Sequence, residues 1–332
     1  MTKLYNSKNE VIFEDKAKTV EETFINLLKK KTAGKDKEVS NLCLKNLEFT
    51  KKQQAEINKK GLLTDKHFIN VSFYKCNFSN MMLEKLRLED CCFSVCNFDS
   101  TVIKNSSMTN KVYDEKKDIL FHDTSFYATN FVGNTINGVT FDSNHFKFGV
   151  FGDNNIENCK FESNIYDFYN EENNIYHNCN ININQFDELT NEFNKYYDCL
   201  FLKNTYLPST CQCLIFENIF DKCTLTDNEF IFAIIGRNKY RECNIHEDKF
   251  TRGLFFQNII DKCNLIDSIF NKLKISFCEI NKSNFTGSSF SEVEFKKNKT
   301  FFNNFEKSFF IKTERPIDNI QPTDDTYHAL TM

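Results

Sequence analysis

Cysteine and histidine are the residue types in this chain most able to do chemistry, and their spacing decides which chemistry is open to them. The 332 residues include 14 cysteines and 6 histidines. A zinc site or a redox dithiol draws two thiolates from one turn, which gives the spacing CxxC. No such pair occurs; the closest cysteines are Cys91-Cys92 and Cys211-Gln212-Cys213. His177-Asn178-Cys179 sets an imidazole beside a thiol, as a cysteine nucleophile and its base would need. Neither a glycine-rich phosphate loop, a Walker motif nor HExxH is present. What the cysteines do show is a period: Cys159, Cys179 and Cys199 lie twenty residues apart, and so do Cys223, Cys243 and Cys263.

A period in cysteine requires a repeating element to position it, and the composition supplies the other member of the repeat. Phenylalanine occurs 37 times and tryptophan not at all, while 9 glycines and 3 prolines leave few residues for ordinary turns, against a loop-rich sandwich or a propeller. Large apolar residues recur every five positions, as in Phe68, Phe73, Phe78, Leu83 and Leu88, and again from Phe121 through Phe126, Phe131 and Ile136. From Ile215 to Phe295 all seventeen such slots are filled. At the overall hydrophobic share, chance would give this with odds on the order of 10⁻⁷. A step of five rotates a helical side chain by about 140° and sends a strand side chain to the opposite face, so the chain must turn between slots. Four five-residue sides then close one square coil, and the cysteines, each two residues before a slot, stack above one another. The core takes the large residue at the slot and a small or polar one two positions earlier, while the other three positions face solvent. In that register Cys179 points inward and His177 outward, so they form no catalytic dyad and the cysteines are reduced core thiols. Glu171 and Asn191 are polar exceptions, twenty apart. Local bulges are expected to turn both outward; a buried pair with hydrogen-bond partners is the alternative.

Individual repeats carry a family resemblance. Cys76-Asn77-Phe78-Ser79-Asn80, Cys96-Asn97-Phe98-Asp99-Ser100 and Ser283-Asn284-Phe285-Thr286-Gly287 resemble the pentapeptide-repeat family. The resemblance implies an all-β solenoid, a right-handed quadrilateral pentapeptide-repeat β-helix of about twelve coils over residues 67–312. Residues 1–66 read as a small α/β N-terminal cap with an incomplete first coil, which the exposed end of such a stack requires. Leu4-Tyr5 and Val11-Ile12-Phe13 predict a hairpin, and Thr19 with Glu22 opens a helix. Ser40 to Phe49 predicts the incomplete coil, and Thr50 to Lys60 a second helix stopped by Gly61. The step between slots rises to eight from Tyr113 to Phe121 and to nine from Tyr206 to Ile215, which places insertions near 114–120 and 207–214. Residues 313–332 are a C-terminal tail or cap.

Function has to be sought on the surface. The formal net charge is −4, yet residues 121–206 hold 12 acidic against 4 basic residues. The resemblance implies one use for such a stretch, since some pentapeptide-repeat proteins imitate duplex DNA in width and charge and bind DNA gyrase or topoisomerase IV in its place. The reading favoured by the residues is a non-enzymatic protein-interaction scaffold, such as a bacterial effector or a phage-encoded modulator of a host protein. The alternatives are that DNA mimic and a structural protein self-associating as a homodimer through a coil end. Loops carry partners more often than scaffolds do. The candidate partner-binding residues are therefore Asp114, Glu115, Lys116 and Lys117 in the first insertion, Leu207 and Pro208 in the second, the aromatic ladder Phe148 and Phe168, and the acidic Asp153, Glu157, Glu162 and Asp167. Phe216 and Phe256, forty apart, make a further outward aromatic pair. No catalytic, cofactor or metal residue is assigned, and scattered basic residues speak against direct nucleic-acid binding. No 18-residue apolar run offers a membrane span and the first residues lack the apolar core of a signal peptide, so a cytoplasmic protein is expected, with secretion as an effector left open.

Overall fold

A computed structural model describes residues 1–34, 37–109, 119–122, 124–167, 169–187, 189–206 and 213–313. The chain forms two compact units, Met1–Asn164 and Ile165–Met332, each a stack of four-sided coils.

Most described sides are three-residue strands with the slot residue at the centre, and a few, such as those of Phe78, Phe98 and Phe285, are single bridges followed by a turn. In the second unit Leu214–Phe216, Ile219–Asp221, Thr224–Thr226 and Glu229–Ile231 make the four sides of one coil. The next coil repeats them in parallel register, with Ile215 against Ile235, Phe220 against Tyr240, Leu225 against Ile245 and Phe230 against Phe250. Rings in one column stack nearly parallel; Phe230 and Phe250 lie 4.8 Å apart at 2°. The residue two places after each slot turns the corner in the left-handed region, as at Glu217 (φ 54°), Lys222 (55°), Asp227 (56°) and Phe232 (51°). Such a conformation costs a non-glycine residue about 1–2 kcal/mol. The fold thus has a dedicated turn conformation without a dedicated turn residue, which is why so few glycines suffice. Corner amides are satisfied by the following coil: Glu217 donates to the Gly236 carbonyl at 3.1 Å and Lys222 to that of Arg241 at 2.9 Å.

The residue two places before each slot closes the inside of the corner. One column in the second unit is an asparagine ladder, Asn174, Asn194, Asn218, Asn238 and Asn258, all buried. The amide of Asn218 donates to Asn238 Oδ1 at 2.9 Å, and that of Asn238 to Asn258 Oδ1 at 2.9 Å. Nδ2 of Asn238 donates in turn to the Ile215 carbonyl at 2.8 Å. A second column holds Asn184, Asn204, Asn228 and Asp248, and a third the cysteines Cys179, Cys199, Cys223, Cys243 and Cys263. The thiols take the same posts more weakly: Cys243 Sγ lies 3.3 Å from the Phe220 carbonyl. Every described cysteine is unbridged. Burial raises the thiol of Cys278 to about 11 and that of Cys91 to about 12, which keeps both protonated at neutral pH.

In the first unit β1 (Thr2–Tyr5) and β2 (Val11–Asp15) form the expected hairpin, with Leu4 opposite Phe13. Helix α1 (Val20–Ala33) is capped by Thr19, whose hydroxyl accepts from the Glu22 amide at 3.2 Å. Its Phe24 is fully buried against the rings of Phe49 and Phe73, both 6.4 Å away. β3 (Glu38–Ser40) and β4 (Cys43–Lys45) start the first coil, with Val39 over Phe68 and Leu44 over Phe73. Helix α2 (Lys51–Lys60) leaves that coil through a full capping box between Thr50 and Gln53 and ends on Gly61 at φ 57°. One register expectation changes. Phe93 pairs with Phe121, 28 residues on where the period gives twenty, so eight extra residues fall between Met108 and Phe121; Tyr113, expected at a slot, lies outside the described residues.

The asparagine ladder yields a direct test. Asn238→Ala strands the buried Asn218 amide and the Ile215 carbonyl, each costing about 1–3 kcal/mol. Urea unfolding should show a loss of about 3 kcal/mol, a smaller loss for Asn238→Cys, and under 0.5 kcal/mol for the neighbouring exposed Lys239→Ala.

Candidate protein-interaction surface

The candidate residues meet the structure unevenly. Asp114, Glu115, Lys116, Lys117, Leu207, Pro208 and Phe168 lie outside the described residues. Phe148 is an exposed corner at φ 53°, its ring 5.5 Å from that of Tyr127, with Lys147 Nζ 5.1 Å above it. Asp153, Glu157 and Glu162 are all exposed on the first unit. They follow one another around the coil: Asp153 is a corner, Glu157 stands on the side centred on Ile156, and Glu162 on the side centred on Phe161. No single face gathers them. Asp167 of the second unit is half-buried. His177 faces solvent and stacks on Tyr197 at 4.8 Å while Cys179 is buried, as the register requires.

Glu171 and Asn191 overturn the expectation of outward bulges. Both are buried at ordinary slots, in adjacent strands paired in register. The alternative holds because partners are present. Asn191 Nδ2 donates to Glu171 Oε2 at 2.9 Å and to the Tyr196 hydroxyl at 2.8 Å, and Asn194 Nδ2 donates to Asn191 Oδ1 at 3.1 Å. Tyr196 also hydrogen-bonds Glu171. Tyr166, Tyr176, Tyr196 and Tyr206 occupy the surrounding slots where phenylalanine serves elsewhere. Burial pushes the Glu171 carboxyl up to about 7, with the bonds from Asn191 and Tyr196 pulling the other way. The same burial, and then the Glu171 charge, holds the Tyr166, Tyr176 and Tyr206 phenols well above their usual range. A second carboxyl stands in an asparagine ladder: Asp248 Oδ1 accepts from the Asn228 amide at 2.7 Å and from its Nδ2 at 3.1 Å. Oδ2, placed where a ladder asparagine carries its donor, has no hydrogen bond among the described residues, and burial pushes Asp248 up to about 7.

The outer surface of the second unit carries a feature that the slot pattern does not require. On the side centred on Ile215, Ile235 and Phe255, the solvent-side positions are also apolar. Leu214, Ile234 and Leu254 form one row along three successive coils, and Phe216, Gly236 and Phe256 the next. Leu254 is 41 % exposed and the corner Phe232 43 %. Phe216 and Phe256 stand two coils apart, yet their ring centroids approach to 5.7 Å because both lean over Gly236. A Cβ on Gly236 would come within 2.8 Å of the Phe256 ring. The sequence signal was the triplets Leu214-Ile215-Phe216 and Leu254-Phe255-Phe256, apolar on both sides of a slot; the five-residue period alone draws the eye only to their centres.

No protein-family model and no curated protein sequence matches the chain. Solved structures do. HetL, a pentapeptide-repeat protein involved in heterocyst differentiation regulation from the cyanobacterium Nostoc, aligns at 10 % identity over 82 % of this chain and 92 % of its own, with a TM-score of 0.33. QnrB1, a plasmid-mediated fluoroquinolone resistance protein, aligns at 11 % identity over 78 % and 90 %, with a TM-score of 0.23. The periplasmic alginate epimerase AlgG aligns at 8 % over 73 % and 78 %, with a TM-score of 0.32. These likenesses are too distant to decide among solenoids, and the five-residue sides, four to a coil, decide instead. The fold is a pentapeptide-repeat β-helix. In this β-helix the described inward positions are taken up by packing and by the ladders.

Glu171 and Asp248 make stability depend on pH in a defined sense. Each binds a proton in the folded protein at a pH where the unfolded chain has released it. Their contribution is therefore full below about pH 4 and is lost as pH rises through about 7, at a cost of at most about 4 kcal/mol each. Glu171→Gln and Asp248→Asn should each be more stable than the parent at pH 8 by roughly 1–3 kcal/mol, with the difference vanishing near pH 4, as read by denaturant titration at the two pH values.

Proposed function

We propose that the protein is a non-enzymatic interaction scaffold that docks a protein partner on the outer face formed by Leu214–Phe216, Ile234–Gly236 and Leu254–Phe256. The observation that carries this reading is the apolar character of solvent-side positions over three consecutive coils. Core packing accounts for the slot residues but gives no reason for leucine, isoleucine and phenylalanine on the water side. A contiguous apolar patch of this kind marks an interaction site. Covering it would gain about 25 cal/mol for each Å² removed from water.

Mimicry of duplex DNA asks for a continuous anionic face. Among the corner columns of the second unit, Asp227, Glu247 and Asp267 make one acidic row of three coils, whereas two others mix signs: Glu217 is followed by Arg237, and Lys222 by Glu242 and Lys262. These residues neutralise one another, with Arg237 3.0 Å from Glu217 and Lys262 3.4 Å from Glu242. Docking is the better account of this unit. No helix among the described residues is long and apolar enough to cross a membrane.

A photo-cross-linking amino acid at Phe256 should trap one protein partner in cells, whereas the same group at Asn264, on a polar side, should not. Equal products from both positions, or none from Phe256, would contradict the proposal. Purified protein should leave DNA gyrase supercoiling unchanged at micromolar concentration; inhibition would restore the DNA-mimic reading.

A further inference from the structure

Resting on that docking reading, we infer that the partner presents an acidic amphipathic helix, with its apolar side chains against Leu254 and Phe256 and its carboxylates against Arg252, Lys272 and Lys274. The apolar rows run along the stacking direction, so each coil advances them by about 4.8 Å. A helix advances about 5.4 Å per turn. Over the two steps from Leu214 to Leu254 the mismatch stays near 1 Å, and a helix lying along the rows can set one apolar side chain against each coil.

Charge selects the kind of helix. The same face turns cationic as the rows continue, since Leu254 pairs with Lys274 and the corner Phe232 is followed by Arg252 and Lys272. Leu254, Arg252, Lys272 and Lys274 line a groove of about 680 Å³. The Arg252 guanidinium lies 5.7 Å above the Phe232 ring, which orients it without neutralising it. Glu292 and Glu294 balance the lysines only loosely, at 3.9 Å from Lys272 and 4.0 Å from Lys274, all four exposed. Exposed pairs at such distances are weak and exchange readily for an incoming carboxylate. Over the coils from Leu214 to Lys297 on this side, Arg237, Arg252, Lys272, Lys274, Lys296 and Lys297 outnumber Glu217, Glu292 and Glu294, while the acids Glu172 and Glu192 of the same side lie before Phe216, at the far end of the rows from Lys274.

The test uses the full chain and three fluorescein-labelled 18-residue helical peptides, with leucine on one face and glutamate, lysine or glutamine on the other. Fluorescence anisotropy should show saturable binding of the glutamate peptide at least tenfold tighter than the lysine peptide and weakened by salt. Leu254→Asp should abolish it, and Arg252→Glu with Lys272→Glu should reverse the charge preference. These positions are exposed, and unchanged thermal unfolding of the variants checks that they fold. Equal binding of the lysine or glutamine peptide that Leu254→Asp still abolishes would overturn the acidic helix while leaving the docking face intact. Binding insensitive to Leu254→Asp, or no binding, would overturn the inference outright, and the position-specific cross-link then judges the docking face separately. Dimerisation in light scattering that Leu254→Asp removes would assign the face to a second copy and likewise overturn it.

Discussion

The structure depends on hydrogen bonds made at the inner corner, where a side chain from one coil accepts the backbone amide of the coil before it. Corners in the left-handed region are individually unfavourable for lysine, glutamate or phenylalanine, and they recur every five residues. They persist because stacking over-determines them: corner amides reach the next coil's carbonyls, and the amides at Asn194, Asn218 and Asn238 reach side-chain oxygens. A turn costly in isolation becomes the cheapest way to keep every buried backbone group satisfied. The phenylalanine columns then fill a lumen whose width these corners have set.

This constraint explains how much of the fold was legible in the residues. Slot identity survives any local variation, because a large side chain at the wrong one of five positions would face water. The period therefore announced the four-sided coil, and the capping residues Thr19, Thr50 and Gly61 announced the helices. Tyr113, outside the described residues, misled because an aromatic residue five places after Met108 keeps the period by chance, and only pairing of Phe93 with Phe121 fixes the count. Glu171 and Asn191 misled for another reason. A polar residue at a slot is read as outward unless partners are known, and those partners, Tyr196 and Asn194, come from neighbouring sides and coils. The tyrosines at 166, 176, 196 and 206 were the signal that a polar centre lay between them.

The candidate surface was less legible than the core. Outward positions obey no period, so an apolar row along one face emerges only when Leu214, Ile234 and Leu254 are placed side by side by the coil register. Asp153, Glu157 and Glu162, neighbours in the acidic stretch that drew attention in the linear sequence, stand on a corner and two different sides of the first unit, since consecutive repeats point in different directions. Function on this scaffold is thus a property of columns, which join residues twenty apart, and seldom of neighbours in the chain.

Amide hydrogen exchange followed residue by residue by NMR tests the inner-corner account most directly. Asn194, Asn218 and Asn238, whose amides bond only to side-chain oxygens, should be as protected as the strand amide of Ile219, which bonds to the Asn194 carbonyl at 2.9 Å. Exchange of those three amides within seconds while Ile219 remains protected would contradict it.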